Sequence, residues 1–172
     1  MNTRLTRILA VAGSLAAAGA ITASGLSAAS AATAGRAASS GTEHFQLVTT
    51  SATSNRGPVI AYGLFGAAGT DHMGNSVDKF VFKGGTFKVF HSSGKGTPRF
   101  NSRTCVLSGA IRGTFRVYGG TGTYAKISGH GHYVVSVLLI AKRTSSGSCN
   151  SNQNAVPAAF QEIIQASGRI KL

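Results

Sequence analysis

The chain has 172 residues, including 23 glycines but only 3 prolines, and its 17 Lys and Arg outnumber its 4 Asp and Glu, giving a formal charge of +13. If an amino-terminal export segment is removed, about 135 residues remain, which is enough for one hydrophobic core but too few for two. The charge favours acidic partners such as teichoic-type polymers or anionic lipid, but the basic residues are spread singly, so no specific nucleic-acid contact is expected.

The first 34 residues have the pattern of a secretory signal peptide. Arg4 and Arg7 form a basic head, an apolar run follows, and small residues suit cleavage after Ala31 or Ala34. Glycines and polar residues interrupt the apolar run, which lacks the roughly 20 strongly apolar residues of a membrane span. We therefore expect a secreted protein without a transmembrane segment.

The remaining chain is expected to hold a disordered segment at 35–42 and one β domain at 43–172. Removal of residues 1–34 leaves fifteen basic and four acidic residues, a formal charge of +11. The domain is rich in Gly, Val, Thr and Phe with frequent turn signals, which is typical of all-β proteins. Strands are expected at the segments EHFQLVTTS, PVIAYGLFG, RTCVLSGA and SGRIKL.

The stretch DKFVFKGGTFKVFH predicts a β-hairpin. If Gly84 and Gly85 form its two-residue turn, Phe82 faces Phe87 and Phe80 faces Val89. Strand alternation then gives one largely apolar face, which we expect to line a ligand cavity. Its members are Asp78, Phe80, Phe82, Phe87, Val89 and His91.

Asp78 and His91 are the polar members of this face, and the same register sets them opposite one another. They would form either a polar handle at the mouth of an apolar cavity or a cross-strand ion pair at the open end of the hairpin. The sequence leaves both interpretations open.

The segment IRGTFRVY also alternates, as a strand between core and solvent requires. Apolar and polar residues separate onto two faces, Ile111, Phe115 and Val117 against Arg112, Thr114, Arg116 and Tyr118.

The glycine-rich stretch that follows contains the spacing G-x-G-x-x-A at Gly120, Gly122 and Ala125. A dinucleotide-binding turn must open a helix whose amino terminus binds the pyrophosphate, but AKISGHGHYVV continues as a strand. The glycines instead predict a tight connection with positive φ angles, leading to a strand that begins near Ser128. No cofactor is expected.

Two later segments raise questions of packing. HYVVSVLLIA is apolar on both faces and requires cover from a helix, a folded-over segment or a second copy of the chain, which makes a homo-oligomer one interpretation. Residues 155–166, within AVPAAFQEIIQA, fit either a short helix or a strand.

Cysteine and histidine residues provide the remaining candidate sites. Cys105 and Cys149 are the two cysteines of an exported chain, which predicts a disulfide. His130 and His132 point to the same side of a strand, but two ligands do not define a metal site, so no metal is expected.

Seven or eight strands with short connections predict a closed up-and-down β-barrel. The stretch GTFRVYGGTGTYAKISGHGHY resembles a motif of secreted bacterial proteins with an allene oxide cyclase barrel-like domain, a fold shared with plant dirigent proteins. The preceding TCVLSGA, the second cysteine in a polar loop and the terminal ASGRIKL extend the resemblance over roughly residues 76–172. It implies a closed antiparallel eight-stranded barrel with an internal cavity and carries over no catalytic residue.

Three functions follow as hypotheses. The leading one is a secreted barrel that binds a small apolar or amphipathic molecule in its cavity. The second is a cyclase, isomerase or coupling-guide enzyme of the allene oxide cyclase or dirigent type using the same cavity, and it rests on the fold analogy alone. The third is a basic protein that binds an extracellular polyanion.

Overall fold

The structure, a computed structural model, describes residues 39–152 and 154–172. The expected signal peptide and residues 35–38 lie outside this range. The strands are β1 Ser40–Thr49, β2 Arg56–Gly63, β3 Ala67–His72, β4 Val77–Phe82, β5 Gly85–His91, β6 Lys95–Gly96, β7 Arg99–Asn101, β8 Val106–Tyr118, β9 Ser128–Ile140 and β10 Ala159–Lys171. In the described ranges the only helical element is a 3₁₀ turn at Gly122–Tyr124, and no helix is long and apolar enough to span a membrane.

Eight of these strands close into an antiparallel up-and-down barrel. Strands β1 to β5 pair in sequence order, β5 pairs with β8, and β9 and β10 complete the circuit back to β1. Strands β6 and β7 are short segments that follow β5 and also lie along β8. The all-β class and the closed eight-stranded antiparallel barrel predicted from the sequence are confirmed.

Strand alternation places the core inside the barrel. On β8, Phe115 and Val117 are buried while Arg116 is exposed, which confirms the predicted faces of that strand. The inward aromatic rings pack against one another, with the centroids of Phe45 and Phe80 5.5 Å apart at a steep angle. Edge-on ring pairs of this kind add to the stabilisation from buried apolar area.

The β4–β5 hairpin has the predicted faces but a different register. Its turn consists of Lys83 and Gly84, so that Phe82 pairs with Gly85 and Phe80 pairs with Phe87. The predicted turn at Gly84-Gly85 is therefore wrong, and each β4 residue pairs with the β5 residue two positions before the predicted partner. Because a slip of two keeps every side chain on its own face, the inward set is unchanged.

The connection between β8 and β9 explains which glycine occupies that turn. Thr123 donates both its backbone N–H and its hydroxyl to the carbonyl oxygen of Gly84, at 2.9 and 3.0 Å. Gly119 and Gly122 have φ angles of 62° and 60°, as the sequence predicted for this stretch. The observed register is thus accompanied by the tertiary contact of Thr123 with Gly84, and not only by the turn propensity of the glycines.

Several boundaries differ from the sequence-based expectations. Strand β1 begins at Ser40, inside the segment expected to be disordered, because it pairs with β10 over its whole length. The ambiguous residues 155–166 enter β10 at Ala159 as strand, not helix. Strands β3, β6 and β7 were not predicted, since none has a strong apolar alternation.

The predicted disulfide joins Cys105 to Cys149, with the two Cα atoms 5.3 Å apart. Cys105 immediately precedes β8 and is 1% exposed, and Cys149 lies in the polar loop after β9. The bridge therefore fastens this loop to the start of a barrel strand.

Strand β9 directs Leu138 and Ile140 outward, where they are 44% and 38% exposed. Within the described ranges neither a helix nor a folded-over segment covers them, so two of the three expected covers are absent there. Oligomerisation through this face stays a prediction.

Candidate functional site

The two ends of the barrel interior differ in how they are filled. At one end, the β8–β9 connection contributes the buried residues Tyr124 and Ile127, and the Tyr124 ring packs against Phe65, Phe82 and Phe87. At the other end, the interior contains a cavity of about 390 Å³. That volume lies in the range of small-molecule sites, so the cavity is the candidate functional site.

The cavity has an apolar body and a polar wall. Its apolar lining comes mainly from inward residues of the strands: Phe45, Leu47, Phe80, Ile111, Phe115 and Ile164. Its titratable lining consists of Asp71, Asp78, His91, Tyr133 and Glu162. The exposed loops at 73–76 and 92–94 border the mouth.

Four of the six residues expected to line a cavity border this one, namely Asp78, Phe80, Val89 and His91. The other two, Phe82 and Phe87, are buried in the filled end of the barrel with Tyr124. All six share the inward face of the hairpin, but the cavity occupies only the part near the mouth. Periodicity predicts a face and contains no information about depth.

Asp78 and His91 meet inside the cavity, although they are not directly paired. Nε2 of His91 lies 3.6 Å from Oδ1 of Asp78, and the same oxygen accepts a hydrogen bond from the backbone N–H of Gly74 at 2.8 Å. Burial raises the pKa of Asp78, while the Gly74 N–H and His91 act in the opposite direction. The two side chains, which are 15% and 28% exposed, contact each other across the hairpin and also border the cavity, so features of both interpretations are present.

Asp71 is a cavity residue that sequence reasoning missed. Its side chain is fully buried, and neither carboxyl oxygen accepts a hydrogen bond from any described residue. Burial, followed by the nearby charges of Asp78 and Glu162, raises the pKa of Asp71 to about 8. At neutral pH this carboxyl group is therefore mainly protonated.

Glu162 is the third cavity carboxyl and was also missed. It lies on β10 and is half-buried, and burial together with the charge of Asp78 raises its pKa. The signal was present in the sequence, because Glu162 alternates in phase with the inward residues Phe160, Ile164 and Ala166. A lone acidic residue in phase with apolar residues indicates an inward carboxyl, but the sequence pattern of this segment fits either a helix or a strand.

Tyr133 forms part of the cavity wall because its neighbour on β8 is a glycine. The ring lies over Gly113, where a Cβ atom would come 2.5 Å from the Tyr133 hydroxyl oxygen. The hydroxyl donates a hydrogen bond to the carbonyl oxygen of Ser92 at 2.8 Å. This bond connects the wall of the cavity to the 92–94 loop at its mouth.

The charges of the protein are segregated between the inside and the outside of the barrel. All fourteen Lys and Arg residues in the described ranges are exposed. The four acidic residues of the chain all lie on inward positions: Asp71, Asp78 and Glu162 border the cavity, and Glu43 is buried near the filled end. Oε2 of Glu43 accepts a hydrogen bond from the Phe65 N–H at 3.0 Å, and burial raises its pKa.

The histidine pair considered for metal binding lies on the outer surface. His130 and His132 are exposed on β9, away from the cavity. His130 is paired with Arg116 on one side and Arg169 on the other. Among the residues that the structure describes, no three His, Cys, Asp or Glu side chains are grouped to hold one metal ion.

The chain matches no family model, no curated protein and no solved structure.

Proposed function

We propose that the protein binds a small apolar or amphipathic molecule inside the barrel. The observation that carries this proposal is the contrast between the two ends, because one end is packed with aromatic side chains and the other contains a cavity of about 390 Å³ lined by Phe45, Phe80 and Phe115. An apolar molecule entering such a site exchanges contact with water for contact with aromatic rings.

The proposed family is the one suggested by the sequence, the allene oxide cyclase barrel-like proteins. The closed eight-stranded barrel and the glycine-rich connection after β8 support this assignment. We also propose that the protein is secreted, and the Cys105–Cys149 disulfide supports an oxidising destination. Amino-terminal sequencing of the exported protein should give a start between Ala32 and Gly35, and a retained Met1 would contradict cleavage.

Binding in the cavity can be tested with 1-octanol, an uncharged eight-carbon probe. Backbone amide shifts followed by nuclear magnetic resonance should move for β4, β5 and β9 residues near Phe80 and Tyr133. Amides around Tyr124, at the filled end, should stay in place. Absence of any saturable shift would reject the proposed binding function, and shifts confined to the outer residues Leu138 and Ile140 would relocate binding to the surface.

A polyanion such as a phosphodiester polymer is a second candidate ligand, because strand pairing gathers basic residues that look dispersed in the sequence. Arg116, His130 and Arg169 are directly paired across β8, β9 and β10, and the Arg116 guanidinium carbon lies 5.5 Å from the ring centroid of Tyr118. Arg116 and Arg169 lie on either side of β9, and a bound anion would offset the repulsion between their two positive charges.

Salt dependence separates this surface from the cavity. The double variant Arg116→Gln, Arg169→Gln should weaken polyphosphate binding and make it less salt-dependent, because fewer counterions are released. The matched control, Arg56→Gln with Lys142→Gln, removes the same charge from elsewhere on the surface. Equal losses in both double variants would show that net charge, and not this row, attracts the polymer.

A further inference from the structure

The cavity has a consistent electrostatic character that an apolar ligand alone does not explain. It is bordered by Asp71, Asp78 and Glu162, whereas none of the fourteen Lys and Arg side chains in the described ranges lines it. Among the described residues, the single basic group in its lining is His91, whose Nε2 lies 3.6 Å from Asp78 Oδ1. In a protein of formal charge +13, three of the four acidic residues of the chain therefore face one internal space.

Asp71 is the strongest indication that this space receives a polar group. A carboxyl group that is 0% exposed and accepts no hydrogen bond from the described residues is costly to bury. Buried polar groups in folded proteins are normally satisfied, and one that is not requires an explanation. A ligand that brings a hydrogen-bond donor into the cavity would supply the missing partner.

The chemistry of the wall restricts the head group of such a ligand. Carboxyl groups in their charged form are acceptors only, and they bind ammonium and guanidinium groups through charge-assisted hydrogen bonds. A ligand carboxylate would instead add a negative charge beside Asp78 and Glu162, and no lysine or arginine of the described residues lines the cavity to offset it. The lining therefore discriminates against anionic ligands.

We propose that the cavity binds an organic cation, a molecule with an apolar body and an amine head group that contacts Asp71, Asp78 and Glu162. This inference rests on the proposed binding function and specifies the ligand class for that same site. The amine lies beside the carboxyl groups, and the apolar body contacts Phe45, Phe80 and Phe115.

The ionisation of the cavity carboxyl groups accords with this assignment. The groups facing Asp71 are Asp78 on β4, His91 on β5, Tyr133 on β9 and Glu162 on β10. The pKa of Asp71, about 8, shows the cost of holding negative charge there without a counterion. A bound ammonium group supplies that counterion and lowers the cost.

Three probes with the same eight-carbon tail test the inference at pH 6.5: octylammonium, 1-octanol and octanoate. We expect octylammonium to bind at least about tenfold more tightly than 1-octanol, as charge-assisted hydrogen bonds predict, and octanoate to bind more weakly than both. If octanoate bound as tightly as octylammonium, or more tightly, the inference would be overturned while the proposed binding function would stay intact. If none of the three probes binds, both the binding function and the inference are rejected.

Carboxyl variants identify the head-group site. Asp71→Asn and Glu162→Gln should each reduce the preference for octylammonium over 1-octanol by about tenfold. Glu43→Gln is the matched control, because it removes a buried carboxyl at the filled end and should keep the preference. If Asp71→Asn does not fold, Glu162→Gln still decides the question, since Glu162 is only half-buried. An unchanged preference in Glu162→Gln would contradict its assignment to the head-group site, and loss of the preference in Glu43→Gln would show a general charge effect.

Discussion

The ring of Tyr124 lies against the ring of Phe82, with their centroids 5.7 Å apart. One side chain comes from the glycine-rich connection after β8 and the other from the β4–β5 hairpin, so two distant segments meet to fill one end of the barrel. This contact separates a packed half of the interior from the half that contains the cavity. Inward residues of a single strand consequently differ in role according to their depth.

Phe82→Ala should therefore lower stability without affecting the cavity. Phe82 is 5% exposed and lies in the packed half, so truncation should cost about 3 kcal/mol or more in the free energy of unfolding. Affinity for 1-octanol should change by less than about twofold, since the probe makes no contact there. Urea unfolding and an amide-shift titration measure the two effects on the same preparation.

Phe80→Ala is the matched comparison two residues away on the same strand. Phe80 is equally buried, at 3% exposed, but it borders the cavity. The Phe80→Ala variant should be destabilised to a similar extent as Phe82→Ala and should also bind 1-octanol more weakly. If Phe82→Ala weakened binding as much as Phe80→Ala does, the boundary between the two halves would be wrong.

Reduction of the disulfide should destabilise the barrel. The bridge closes a loop across a sequence separation of 44 residues, for which the chain-entropy model gives about 4 kcal/mol. We expect the midpoint of urea unfolding to fall when a reductant is present, and Cys105→Ser with Cys149→Ser to reproduce the fall. A reductant that also shifted the midpoint of the double serine variant would point to an effect unrelated to the bridge. Free thiol in the unreduced, denatured protein would contradict the disulfide itself.

The barrel could be predicted from sequence because the information that specifies it is local. In DKFVFKGGTFKVFH and IRGTFRVY, one face of each strand carries apolar residues at every second position, and this period determines which side chains face inward. The register of the hairpin is harder to predict, because the predicted turn and the observed turn both keep Phe80 and Phe82 on the same face. The choice between the two turns involves the contact of Thr123 with Gly84. That contact joins residues 39 positions apart, beyond the reach of a pattern in one segment.

The cavity could be predicted only in part. Asp78 and His91 were found because they flank a strong hairpin, whereas Asp71 lies on β3, which has almost no apolar alternation. The convergence of Asp71 with Glu162 depends on barrel closure, which brings β3 and β10 to one internal space. A rule read from the sequence could have identified Glu162, since this acidic residue is in phase with Ile164 and Ala166 on β10.

The inward acidic residues also determine how stability depends on pH. Burial raises the pKa of Glu43, Asp71, Asp78 and Glu162 above the ordinary values of these groups. For Asp71 the pKa rises from 3.8 to about 8. Between these two values the folded protein holds a proton that the unfolded chain releases, so the free energy of unfolding decreases as the pH rises.

The protein should accordingly be more stable at pH 5.5 than at pH 8. Each proton held only by the folded state contributes a slope of up to about 1.4 kcal/mol per pH unit. Asp71→Asn, which replaces the carboxyl with an uncharged group of the same shape, should flatten this dependence and raise the melting temperature at pH 8. Thermal unfolding at constant ionic strength measures both effects, with Glu43→Gln reporting how much of the slope comes from the filled end of the barrel. A wild-type stability that increased from pH 5.5 to pH 8 would mean that the Asp71 carboxyl is ionised and stabilised by a partner in the folded protein.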